Sequence, residues 1–544
     1  MKRFSLILCA ALVASSGFSC GNKDRGDGAG HMYNAPLQGN PKSLDPQYAS
    51  DPSSDTVIKN MYSGLMRRDA DGSIVCCNAE KYTVSPDGTV YTFTLRRDNY
   101  WSADKNRNDI IEENEYFPVK AEDYVFAFQR LLDPKMQSPY AEYYSCIRGG
   151  KQIISGSASP ESAGVRAVDD YTLEITLEHP SAEFLNLLAA SPASPCNKDF
   201  FLSTKGRYGL DDKSVMCNGA FYMRQWYYDP YGTHNILYMR KNEVNVREDY
   251  QVIPSYLSFT IQKDESGVRE CLKDGSVECM TTLSSSYSRK KYSVQPQSAV
   301  TLGLIFNGED KYFSNQNLRK ALAYSVNREE LADELSSDLT AASGIIPPAL
   351  VLAGRSYREL ASDKELDMYS PGEASELIAK AKSELKIASM DNVKILVCAD
   401  TVDSGYLHLL SQSWQESLGI YIGIEDVTRE EFFRRIEAKE YSIALYPLKA
   451  DMDSAAAVLG EFSGSGVLST AGSGRDYMSE VLSSTSVSEM VEHCLGAERD
   501  ILSSCGFIPV FYKNTYLVAD KDNEDIIYDP FSGAVDYRTA RNYG

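Results

Sequence analysis

Hydrophobic and polar positions follow two rhythms along this chain, and the rhythm changes every few dozen residues. From Thr89 to Leu95 (TVYTFTL) apolar and polar residues alternate singly, which predicts a strand with one buried face. From Ala121 to Leu132 (AEDYVFAFQRLL), Tyr124, Val125, Phe128, Leu131 and Leu132 recur at helical spacing, with Glu122 and Asp123 in the first turn, where a helix favours acids. Alternation returns at Asp170–Leu177 (DYTLEITL). Ser255–Gln262 predicts another strand, and Gly267–Leu272 a helix that ends at Asp274-Gly275. No internal repeat interrupts this mixture, which predicts an α/β protein. At 544 residues the chain predicts more than one lobe, since single cores stop growing at roughly 250–300 residues.

The amino end follows a third pattern. Lys2 and Arg3 precede an apolar run, Phe4–Val13, too short to span a bilayer, and Gly17-Phe18-Ser19-Cys20 resembles a lipobox. Residues 1–19 are therefore expected to be a lipoprotein signal peptide, with Cys20 as the site of lipidation; ordinary secretion is the alternative. Residues 20–32 have the composition of a flexible tether. The expectation is an extracytoplasmic protein anchored to the cell membrane by lipid.

A net charge of −21 repels nucleic acid and anionic lipid. Cysteine is too dilute for a disulfide scaffold, and no CxxC occurs. Cys196–Cys217 and Cys271–Cys279 close short local loops and are the pairs to test first; buried free thiols are the equal alternative. The five histidines form no H-x-x-x-H, and there is no Gly-x-Ser-x-Gly elbow and no phosphate-binding Walker loop. Nothing here predicts an enzyme, and no cofactor is required.

A set of ordered blocks carries more information than any of these counts. Ser43-Leu44-Asp45-Pro46, Gly64-Leu65, Asp87-Gly88-Thr89-Val90-Tyr91-Thr92-Phe93-Thr94-Leu95-Arg96, Trp101-Ser102 and Ala121-Glu122-Asp123 follow one another, and Leu304-Ile305-Phe306-Asn307, Gly344-Ile345-Ile346-Pro347-Pro348 and Ile508-Pro509-Val510-Phe511-Tyr512 continue the series. In that order they resemble the large extracytoplasmic solute-binding proteins of peptide ABC importers. The resemblance implies a two-lobed periplasmic-binding-protein-like fold with a hinge and an extra accessory domain. It places lobe I at 33–62, 185–298 and 512–544, the accessory domain at 63–184 and lobe II at 299–511. It also implies a short peptide as ligand, an ABC permease and its ATPase as partners, and a monomer. Relatives that carry nickel complexes or saccharides, and surface lipoproteins for adhesion or peptide signalling, are the alternatives.

An extended peptide buries its N–H and C=O groups at least cost against strand edges, and its ammonium needs a carboxylate. By resemblance that carboxylate is Asp451, flanked by Leu448, Lys449 and Ala450, with Asp453 as a rival. Pro447-Leu448 replaces the family's Gly-Trp, and Pro447 removes one backbone donor. Ser50 and Asp51 match the opposite edge; an ordinary turn is the alternative there.

Between Trp101-Ser102 and Val119-Lys120 the chain departs from the family. Asp104, Asn106, Asn108, Glu112 and Glu115 stand at positions 1, 3, 5, 9 and 12 of a twelve-residue stretch, with the Ile110 carbonyl at position 7. That is the spacing of a calcium loop, with Asp109 where glycine is usual. A structural calcium ion is one expectation and a solvated acidic loop the other.

Overall fold

The computed structural model describes residues 32–543, apart from 233–234, 334, 336–337, 362–367 and 465. The expected signal peptide, Cys20 and the tether up to residue 31 lie outside the described residues. Among the described residues no helix is long and apolar enough to cross a membrane.

Two long strands organise the molecule. Tyr292–Phe306 and Phe507–Asp520 pair antiparallel from Tyr292 opposite Asp520 to Ile305 opposite Phe507. Their register shifts between Ser298 and Val300 and again between Leu302 and Gly303. Such bulges bend a strand and sharpen its twist. On one side of the first shift, Cys279–Thr282 pairs with the end of Phe507–Asp520. On the other, Ile443–Leu448 pairs with Tyr292–Phe306, and Lys394–Cys398 and Gly423–Val427 extend the sheet in parallel. The helices Gly405–Leu418 and Arg429–Glu437 connect these parallel strands. Leu304, Ile395, Val397, Trp414, Ile443 and Leu445 fill that lobe's core. A strand covered on both faces reads as an apolar run, which is why IALY at 443–446 shows no alternation.

A second sheet runs in the order Met32–Gln38, Tyr256–Gln262, Ile236–Lys241, Phe221–Tyr227, its first pair parallel. A third, wholly antiparallel, holds Ala79–Val84, Val90–Leu95, Thr172–Thr176 and Val165–Asp169. The helix Ala121–Leu132 packs on it, with the bounds its periodicity predicts. The helix Glu265–Asp274 ends where Gly275 turns left-handed at φ 81°. This is the two-lobed α/β architecture with an added domain.

The ordered blocks meet at the joint between these parts. Trp101 Nε1 donates to Asp123 Oδ2 at 2.9 Å, and Ser102 N donates to the Cys217 carbonyl at 2.8 Å. Asp45 is ion-paired with Arg130, both almost fully buried, and Arg130 also donates to Gln47 Oε1 at 2.7 Å. Gly209 stands so close to this turn that a Cβ would lie 2.5 Å from the Asp45 nitrogen. Its φ of 77° is also one that side chains disfavour.

All ten cysteines of the described range carry free thiols. The two local pairs expected first do not form. Cys196 accepts from Arg130 Nη1 at 3.3 Å and Cys217 packs against Ser102. Cys271 accepts from Gln262 at 3.2 Å, while Cys279 faces the Tyr537 hydroxyl. Each thiol has found a polar neighbour in place of a second sulfur.

Candidate functional site

The strand Ile443–Leu448 delivers the site. Its last paired residue is Leu448, opposite Thr301. Beyond it Lys449, Ala450 and Asp451 make no backbone–backbone hydrogen bond among the described residues. From Leu448 on, burial alternates: Leu448 and Ala450 are buried, while Lys449 and Asp451 are exposed. The side chains of Leu448 and Ala450 therefore build the wall, and only their backbones remain for a ligand. Ser454 then caps the helix Ala455–Gly460 by accepting from Ala457 N at 3.3 Å, and Glu461 closes it.

The Asp451 carboxylate has no hydrogen bond and no ion pair among the described residues. It reaches solvent, yet enough protein surrounds it that burial raises its pKa, against the lowering effect of Lys449. Burial likewise lowers the pKa of Lys449, with Asp529 and Asp451 opposing. Glu461 is raised by burial and then by the Asp451 charge. Across the gap, burial raises the Tyr143 hydroxyl, and Asp451 and Glu461 add to it. Tyr140 is raised by burial first and then by Asp55, Asp451 and Asp51. Segments far apart in sequence thus face one region in which Lys449 only partly offsets the charge of Asp451 and Glu461.

Asp453, two residues on, has a different task. It ion-pairs with Arg68 at 2.9 Å, and its carbonyl accepts from Asn186 Nδ2 at 2.6 Å. Burial raises its pKa to about 7, with Arg68 opposing. Lys59 and Asp529 form a neighbouring pair at 2.7 Å; burial raises Asp529, but Lys59 outweighs it and brings the carboxyl to about 2. These four side chains line a cavity of about 130 Å³, which has space for waters and not for a peptide. Asp453 fastens the second lobe to Arg68 and Asn186. Asp453→Asn is accordingly expected to change ligand affinity by less than about threefold in calorimetry, in contrast to a substitution at Asp451.

On the opposite edge, Asp51 caps the helix Pro52–Met61: its carboxylate accepts from Ser54 N at 3.0 Å and from Ser54 Oγ at 2.6 Å. The Ala49 carbonyl accepts from the Tyr140 hydroxyl at 2.8 Å. Asp51 is thus engaged in a local cap, and Ser50 beside it is exposed. The loop Asp104–Glu115 lies elsewhere, against Arg224 of the first lobe's sheet.

The sequence singles out Asp451 and its flanks, whereas Tyr140, Tyr143, Glu461 and Arg68 reach this region only through the fold. The two tyrosines sit in a short 3₁₀ region, Ala141–Tyr144, and beside it. Glu461 looks like any helix-ending acid. Only the distant packing of three segments brings them together.

The chain is similar to known proteins over most of its length. Residues 74–469, well over half of the chain, match the family model of bacterial extracellular solute-binding proteins, family 5. The chain is 26% identical over 450 residues to the oligopeptide-binding protein OppA of Bacillus subtilis, covering 81% of this chain and 79% of that protein. It is 25% identical over 432 residues to the probable deoxycholate-binding periplasmic protein YgiS of Escherichia coli, covering 77% and 75%. Its fold matches Listeria monocytogenes OppA bound to peptide with a TM-score of 0.69 at 22% identity, covering 94% of this chain and 99% of that one. The chain belongs to the family 5 extracellular solute-binding proteins. It is a binding protein and not an enzyme.

Proposed function

We propose that this protein captures short peptides between its two lobes and delivers them to an ABC permease. The observation that carries this reading is an unpaired carboxylate, Asp451, beside a three-residue backbone edge with free hydrogen-bonding groups. An extended peptide has the complementary inventory: N–H and C=O groups for the edge and an ammonium for the carboxylate. Ser50 and the backbones of Leu448, Lys449 and Ala450 complete the contact. Lipid attachment at Cys20 would keep the receptor, a monomer, at the membrane where the permease and its ATPase reside.

The named function of YgiS raises a second class of ligand. Asp451 and Glu461 weigh against it, because both would repel an anionic amphiphile from the same region. Native mass spectrometry of protein purified without denaturation separates the two. Mass increments of heterogeneous short peptides support peptide capture. A single bile-acid, saccharide or metal-chelate increment that displaces added peptide would overturn it.

A further inference from the structure

The hairpin loop from Asp104 to Glu115 joins the strands Tyr100–Ser102 and Tyr116–Pro118 and takes no part in the peptide site. Two of its acidic donors, the first and the last, are folded inward, while Asn106, Asn108 and Glu112 are exposed. The Asp104 side chain is fully buried and Glu115 is 3% exposed. Glu115 accepts from the backbone of Lys105 at 2.9 Å, Asn106 at 3.2 Å and Glu112 at 3.2 Å, yet no lysine or arginine pairs with it among the described residues. Asp104 accepts from Asn108 N at 3.2 Å and Asp109 N at 2.9 Å. Asp109 adopts φ 70°, the left-handed conformation that a twelve-residue calcium loop demands at its sixth position. Aspartate tolerates it better than most residues.

A separate observation comes from the sheet beneath. Tyr222 is 2% exposed, and its hydroxyl has no hydrogen-bond partner among the described residues. It stands on the strand Phe221–Tyr227, opposite Arg240 and two residues before Arg224, and both arginines reach Asp109 of the loop, at 3.7 Å and 2.5 Å. A buried hydroxyl without a partner is costly, and a hydrated cation held by the loop offers it an oxygen.

Among the described residues no three His, Cys, Asp or Glu side chains converge as a metal site. A metal here must therefore draw on amides and carbonyls as well, which selects a hard cation with many oxygen ligands. We propose that this loop binds one calcium ion through Asp104, Asn106, Asn108, the Ile110 carbonyl and Glu115, with Glu112 acting through water. Glu115 can give two oxygens, which suits calcium and not the smaller octahedral magnesium. Arg224 donates to Asp104 Oδ2 at 3.0 Å and approaches Asp109 Oδ1 at 2.5 Å, so it offsets part of the loop's charge. The affinity belongs in the range of extracellular calcium modules, roughly 0.1–1 mM. The bound ion braces the hairpin against the sheet of the first lobe.

Thermal melting of the mature protein, stripped with chelator and titrated with calcium chloride or magnesium chloride, tests this. Calcium at about ten times its dissociation constant should raise Tm by about 1–1.5 °C, and magnesium by less. Asn106→Ala alters an exposed residue and should require at least about tenfold more calcium. Glu115→Gln should lose the shift. A wild-type protein whose Tm ignores calcium, or equal shifts in wild type and both variants, would overturn the proposal: the loop would then be held by its arginines alone, or calcium would be adsorbing on the acidic surface at large.

Discussion

Replacing Asp451 by asparagine is expected to weaken the binding of short peptides by at least about tenfold, as read by isothermal calorimetry. A charge-assisted hydrogen bond to an ammonium contributes about 1.5–3 kcal/mol, which is a factor of roughly 10–150. Asparagine keeps the volume and one acceptor oxygen, so the loss measures charge. Because no protein group pairs with Asp451, removing it leaves no buried partner stranded, and Tm should hold. The pH dependence has a definite sign. The peptide ammonium binds the ionised carboxylate, and burial has raised the pKa of that group. Affinity should therefore fall on acidification, beginning at a higher pH than an ordinary aspartate would cause. In the peptide-free protein the sign is opposite: the folded state holds this proton more tightly than the unfolded chain, so this group favours folding at low pH and opposes it as pH rises through the shifted pKa. Affinity unchanged in Asp451→Asn would remove the anchor from the account.

Arg130→Met is expected to produce the largest loss of stability, about 3–5 kcal/mol, with Asp45 left buried and uncompensated. The side chains of Arg130 and Asp45 are only 4% and 9% exposed. The arginine also lies 4.1 Å from the Phe201 ring centre, and that contact goes with it. The double variant Asp45→Leu with Arg130→Met should recover part of the loss, since neither charge then remains inside. Denaturant melts of the three proteins check both statements. A single variant as stable as wild type would show that the pair contributes nothing to the joint between the first lobe and the accessory domain.

That pair explains what was legible in the sequence. Asp45 of Ser-Leu-Asp-Pro meets Arg130 near the end of the Ala121–Leu132 helix, and Trp101 of Trp-Ser meets Asp123 of Ala-Glu-Asp. The blocks that carry the family resemblance are thus largely joints of the scaffold. The helix Ala121–Leu132 and the strand Val90–Leu95 were readable because each buries one face, which leaves a periodic trace. The two-faced strand Ile443–Leu448 left none, and it is the strand that bears the site.

Local pattern was a weaker guide to chemistry. Asp51, placed at the ligand by resemblance, also caps a helix, a task short acidic residues perform wherever a helix begins. Asp451 and Asp453 could not be ranked from their neighbours in sequence. They separate only when Arg68, from a segment almost four hundred residues away, is seen paired with Asp453, while Asp451 makes no ion pair among the described residues. Tyr140, Tyr143 and Glu461 join the site through packing between three parts of the fold, for which no single stretch carries a signal.

The most direct measurement is a calorimetric comparison of one short peptide with a free amino terminus and the same peptide N-acetylated, each titrated into the wild-type protein and into Asp451→Asn. The account predicts that acetylation weakens binding to wild type by at least about tenfold and has little further effect on the variant. Equal binding of the free and acetylated peptides to wild type would contradict it.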